Sequence, residues 1–110
     1  MHPSILKHRT EIAELCQRFG VVQLDLFGSA ATGEGFDEAM SDFDFFVEFG
    51  AAAKTKAFDN YFGLLDGLER LFDRRIDLVT ANEVRNPYLR ASIDANREKV
   101  FSFSGPEAVV

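Results

Sequence analysis

Asp42 and Asp44 stand two residues apart in Ser41-Asp42-Phe43-Asp44-Phe45, and no Lys or Arg close in sequence offers either one a counter-charge. On an extended segment, residues two apart leave the same face about 6.6 Å from each other. Two carboxylates so placed repel, and each shifts toward protonation unless a cation lies between them. Mg²⁺ answers that need, because it takes hard oxygen ligands and is satisfied by one or two carboxylates plus phosphate oxygens. A lone pair of this kind is more often an acidic strand edge facing water, so the reading needs support from elsewhere in the chain.

Three features supply it. Phe43, Phe45, Val47 and Phe49 alternate with the acidic positions, so the strand has a fully apolar face to pack and its Asp pair is held rigidly. A third carboxylate, Asp77, lies in Arg75-Ile76-Asp77-Leu78-Val79, where alternation leaves it either exposed or a member of the same acidic cluster. Gly28-Ser29 directly follows an apolar run, a place where a turn presents backbone N–H groups and a hydroxyl to an anion.

The elements that must position these groups are legible from periodicity. Ser4 to Phe19 reads as an amphipathic helix with Ile5, Ile12, Leu15, Cys16 and Phe19 on one side, stopped by Gly20. Val21 to Phe27 is a strand with Val22, Leu24 and Leu26 on one face, and Gly28 to Gly35 is a turn. Phe43 to Phe49 is the second strand, with Asp42, Asp44, Phe46 and Glu48 on the face opposite its apolar residues. A helix from about Lys56 to Phe72 carries Phe58, Phe62, Leu65, Leu68 and Phe72 as its expected buried stripe. Arg75 to Thr80 is the third strand. Asn86-Pro87 opens a last helix whose Leu89, Ile93 and Val100 point inward, and Gly105 to Val110 is a tail. The order predicts an α/β (α+β) fold, a small mixed sheet packed on helices, in one domain over residues 1–104.

Gly28-Ser29, the Ala-rich turn after it, the Asp42/Asp44 strand and Asp77 on a later strand resemble the signature of the polymerase-β-like nucleotidyltransferase superfamily. The small size and Asn86-Pro87-Tyr88-Leu89 narrow the resemblance to the minimal nucleotidyltransferase (MNT) domains, over about Gly20 to Phe101. It implies that Gly28 and Ser29 bind the β- and γ-phosphates, and that Asp42 and Asp44 hold two Mg²⁺ ions. Asp77 would complete one metal site and help deprotonate an incoming hydroxyl. The implied reaction moves AMP from ATP to that hydroxyl with release of pyrophosphate. The implied role is that of an antitoxin whose acceptor is a tyrosine on a partner HEPN-domain ribonuclease toxin. Two departures stand out: Ser29 to Asp42 is slightly longer than the commonest family spacing, and Ala31-Thr32 occupies the turn where many members carry Arg.

Composition bounds the alternatives. The chain has 110 residues and a formal net charge of −6, which argues against a broad phosphate-contacting surface and so against direct nucleic-acid binding. Twelve Phe and no Trp furnish the core volume. The single cysteine, Cys16, reads as a buried apolar residue and suits a reducing cytoplasm. No apolar run approaches the ~20 residues that span a bilayer, and no secretory leader is legible. Against the transferase stand a non-catalytic binding subunit that neutralises its partner by contact, and an adenylyltransferase acting on a small molecule. Homo- and hetero-oligomers are both left open.

Overall fold

A computed structural model of the chain describes residues 2–28, 31, 42–50, 56–80 and 86–103. The elements are α1 (Pro3–Lys7), α2 (Arg9–Arg18), β1 (Val21–Phe27), β2 (Phe43–Phe49), α3 (Ala57–Phe72), β3 (Ile76–Thr80), α4 (Pro87–Asn96) and β4 (Glu98–Ser102). The strands form one mixed sheet in the order β3-β2-β1-β4. β1 runs antiparallel to both β2 and β4, while β2 and β3 are parallel. The expected small mixed sheet packed on helices is what forms.

Each face of the sheet has its own apolar cluster. On one face Leu24, Leu26, Phe43, Phe45, Val47, Ile76 and Leu78 meet Ile5, Ile12, Cys16, Leu64 and Leu68 from α1, α2 and α3. On the other, Phe46 and Ile93 are buried together with Phe27 and Val79 around them. The strict alternation of β2 therefore feeds both layers: Phe43 and Phe45 go to the main core, and Phe46 goes to the smaller one beneath α4. Burying Phe43 and Phe45 contributes roughly 2–3 kcal/mol each, before the entropy of ordering them is counted.

Four expectations change. The first helix is two, because His8 leaves helical geometry at φ −107°, ψ 22°. Its N–H still bonds to the Ser4 carbonyl, and its own carbonyl accepts from the Ile12 N–H, so backbone hydrogen bonds reach His8 from both helices. Ile5, Ile12 and Cys16 all reach the core across that bend. On β1, Val21 is buried while Val22 is only half-buried, because the pairing with β2 shifts register between Val21 and Gln23.

The stripe of α3 is also rotated from the expected one. Phe58 is 77% and Phe62 48% exposed, while Leu64 and Leu68 are fully buried and Leu65 and Phe72 pack beside them. Apolar residues cover more than half the circumference of this helix, so hydrophobicity alone does not select a face. The glycines do. A Cβ on Gly63 would lie 2.4 Å from the Phe19 ring, and one on Gly67 would lie 2.6 Å from Leu15, so α2 approaches α3 where side chains are missing. Gly63→Val is expected to lower stability by about 2 kcal/mol, read as a shifted urea midpoint at unchanged slope. An unshifted midpoint would refute this packing.

Finally, Val100 lies on a fourth strand and not on the last helix. Ile93 and Val100 are seven residues apart, a spacing that helix periodicity also satisfies. Arg97 turns extended at φ −73°, ψ 143°, and Glu98–Ser102 then pairs with β1. The side chain of Leu89 and residues 104–110 lie outside the described residues.

Candidate functional site

Strand register brings the acidic residues together. Asp44 sits opposite Asp77 across the parallel β2/β3 pair, and opposite Phe27 across the antiparallel β1/β2 pair. Asp42, the residue just before β2, lies near enough for its charge to act on Asp44. Asp77, separated from Asp44 by 33 positions in the chain, thus belongs to the same acidic group through parallel pairing, and of the two readings left open it takes both: it is exposed and in the cluster.

The electrostatic consequence falls on the middle residue. Asp44 is half-buried, and its pKa is pushed up to about 6 from the ordinary 3.8, first by burial and then by the charges of Asp77 and Asp42. A cation at this point would relieve all three effects at once. Among the described residues no three carboxylate, His or Cys side chains are gathered tightly enough to hold a metal unaided. The carboxylates of Asp42, Asp44 and Asp77 are hard oxygen donors of the kind Mg²⁺ takes, and Mg²⁺ completes its shell with water and substrate phosphate.

Gly28 closes the other side of Asp44. It ends β1 with φ +73°, a left-handed conformation that glycine adopts without penalty. A Cβ built there would lie 2.5 Å from the Asp44 carboxylate oxygen Oδ2. The turn and the acidic strand are therefore in direct contact, and the main chain at Gly28 approaches Asp44 only because no side chain intervenes. The carbonyl of Gly28 accepts a hydrogen bond from the N–H of Ala31, which is buried. Ser29 lies outside the described residues, as does Thr32.

One charged residue on this face was not singled out by its sequence pattern. Asp25, in the middle of β1, is only 1% exposed. It pairs across the ladder with Phe46, and its Oδ2 accepts a hydrogen bond from Gln23 Nε2 at 2.8 Å. The signal was present: with Leu24 and Leu26 in the main core, Asp25 had to project onto the face of Asp44. Arg74, adjacent to the third strand, turns the other way and covers the Phe43 ring at 4.5 Å. Cys16 is buried in the main core, and burial pushes its thiol up to about 12, which suits a packing residue and not a nucleophile. No helix among the described residues is long and apolar enough to cross a membrane.

Known proteins share this arrangement of sequence and fold. A family model described as a nucleotidyltransferase domain matches residues 9–100. A protein of Methanocaldococcus jannaschii, named as a candidate protein adenylyltransferase, is 36% identical over 80 residues, covering 73% of this chain and 77% of that one. The solved structure of a candidate minimal nucleotidyltransferase aligns with a TM-score of 0.68 at 29% identity, covering 89% of this chain and 95% of that one. A chain from the structure of a tri-AMPylated Shewanella oneidensis HEPN toxin with its MNT antitoxin aligns at TM-score 0.55 and 15% identity, over 96% and 78% of the two chains, a likeness of fold.

Proposed function

The chain belongs to the nucleotidyltransferase domain family, and from that premise we propose that it transfers AMP from ATP to a hydroxyl on a partner protein. The observation that carries this reading is the placement of Asp44: flanked by Asp42 and Asp77, and pressed against the bare main chain of Gly28. Asp42 and Asp44, with Asp77, would hold Mg²⁺, most simply two ions, whose chemistry is to neutralise charge on the phosphate oxygens during in-line displacement. Gly28 and Ser29 would bind the β- and γ-phosphates. Asp77, exposed on the outer strand β3, would accept the proton of an incoming hydroxyl.

The partner is a HEPN-domain toxin, the acceptor one of its tyrosines, and the chain its cytoplasmic antitoxin. The named adenylyltransferase relative and the fold shared with the HEPN-bound antitoxin support this. Purified protein, Mg²⁺, α-labelled ATP and the HEPN partner together test it. Label is expected on the partner, dependent on Mg²⁺ and lost by roughly 100- to 1,000-fold in Asp42→Asn, since charge stabilisation at the reacting phosphate is removed. A partner that is neutralised while carrying no label would replace this reading with neutralisation by contact alone.

A further inference from the structure

A chain of charges ties α4 to the face of the sheet that carries Asp44. Arg97, at the C-terminal end of α4, places its Nε 3.6 Å from Asp25 Oδ2 and its Nη1 3.3 Å from Asp94 Oδ1. Asp94 is shared with Arg90, whose Nε lies 3.5 Å from Oδ2. Both guanidiniums stand over the Phe46 ring, at 5.0 Å for Arg90 and 5.6 Å for Arg97. Ile93, between them on the helix, is buried against the same ring.

The anchor of this chain is unusual. Asp25 is a carboxylate in the interior of a strand, and its Oδ1 has no hydrogen-bond partner among the described residues. Burying a carboxylate is costly, and an apolar pair of similar volume is often as stable or more so. Packing alone therefore gives no reason for an Asp–Arg pair here. Geometry does. Phe46 lies directly across the ladder from Asp25 and two residues beyond Asp44 on the same face, and Phe27 lies across the ladder from Asp44 itself. Phe27, Phe46 and Ile93 form one cluster. The Asp25–Arg97 contact pins the end of α4 onto β1, so α4 clamps the neighbours of Asp44 both along its strand and across the ladder.

We infer that Asp25 and Arg97 are a positioning pair for the nucleotidyl-transfer site: they fix α4 against Phe46 and so fix the direction in which Asp44 presents its carboxylate. The inference rests on the proposed function, because it assigns the pair to metal and nucleotide binding at Asp44. Displacements of about 1 Å at a site of this kind cost on the order of 100-fold in rate. Metal-dependent nucleotide affinity should respond in the same direction without any contact between the pair and the ligand.

The test uses Asp25→Leu combined with Arg97→Met, an apolar replacement that keeps the volume filled. ATP affinity is measured by calorimetry with Mg²⁺ and with EDTA, beside the thermal midpoint of each protein. The wild type is expected to gain affinity from Mg²⁺, and the double variant to lose at least 10-fold of that gain while melting no lower than the wild type. A role confined to stability predicts the opposite: a changed midpoint and an intact Mg²⁺ gain. Asp25→Asn, which keeps the side chain's shape, serves if the double variant does not fold, with the same expected loss. A Mg²⁺ gain within twofold of wild type in a folded variant overturns the positioning role and leaves the proposed function standing. A wild type that gains nothing from Mg²⁺ removes both.

Discussion

Asp44→Asn is expected to abolish transfer and, in metal-free protein at pH 8, to raise the thermal midpoint. The two effects have one cause. Asp44 has a folded-state pKa of about 6 against an ordinary 3.8, so the folded state holds its proton more tightly than the unfolded chain does. Its contribution to stability is fully present below about pH 3.8 and is lost as pH rises through about 6. Above that range the ionised carboxylate is held against burial and against Asp77 and Asp42. Asparagine never carries that charge. Because Asp44 is only half-buried, solvent screens much of the penalty, and the gain is expected to be about 1 kcal/mol, roughly 5 °C in midpoint. The gain should vanish below about pH 4, where wild-type Asp44 is protonated too. Added Mg²⁺ with ATP is expected to reverse the ranking, since ligand that binds only the intact site would stabilise the wild type alone. Melting curves at pH 4 and pH 8, in EDTA and in Mg²⁺ with ATP, check all four corners. An Asp44→Asn protein that melts at or below wild type at pH 8 in EDTA would show that the three carboxylates do not repel in the folded chain.

That penalty also marks what the sequence made legible. The two central strands came through with their bounds intact, because Val21–Phe27 and Phe43–Phe49 alternate cleanly between Gly20 and Gly28 and before Gly50. The acidic pair followed from that alternation alone. Asp77 was visible as a residue, but its place beside Asp44 depends on parallel pairing across a sixteen-residue helix, and no local pattern encodes a register. β4 was hidden for a related reason: Val100 fits the period of the preceding helix as well as a strand. The face of α3 was ambiguous because Phe58 and Phe62 are as apolar as Leu64 and Leu68, and only the approach of α2 at Gly63 and Gly67 separates them. Asp25 shows the same limit in polar form. A lone Asp in an apolar strand reads as an interruption until Arg97, 72 positions later, is seen to meet it.

Gly28→Ala is the sharpest test of the contact between the turn and the acidic strand. Two separate costs meet at this position. Alanine at φ +73° is strained by about 1–2 kcal/mol wherever it occurs. Its Cβ would also stand 2.5 Å from the Asp44 carboxylate, which has Asp77 across the ladder on its far side and Phe46 beyond it under α4. Something must move, and the carboxylate is the nearest atom group. The total cost is expected to be about 2–4 kcal/mol, within the ~5–15 kcal/mol that a domain of this kind has in hand, so the variant folds at 25 °C. Mg²⁺-dependent transfer is expected to fall by about 100-fold or more, because the displaced group is the one proposed to face the metal and phosphate. Gly20→Ala provides the comparison. Gly20 has nearly the same φ, +74°, but sits at the opposite end of β1, before Val21. It shares the backbone strain and not the carboxylate contact, so it should lose stability while its folded fraction keeps wild-type transfer. Equal losses of transfer in the two variants would reduce the Gly28 effect to strain. A loss confined to Gly28→Ala would establish that the turn and Asp44 act as one site, built around the side chain that glycine lacks.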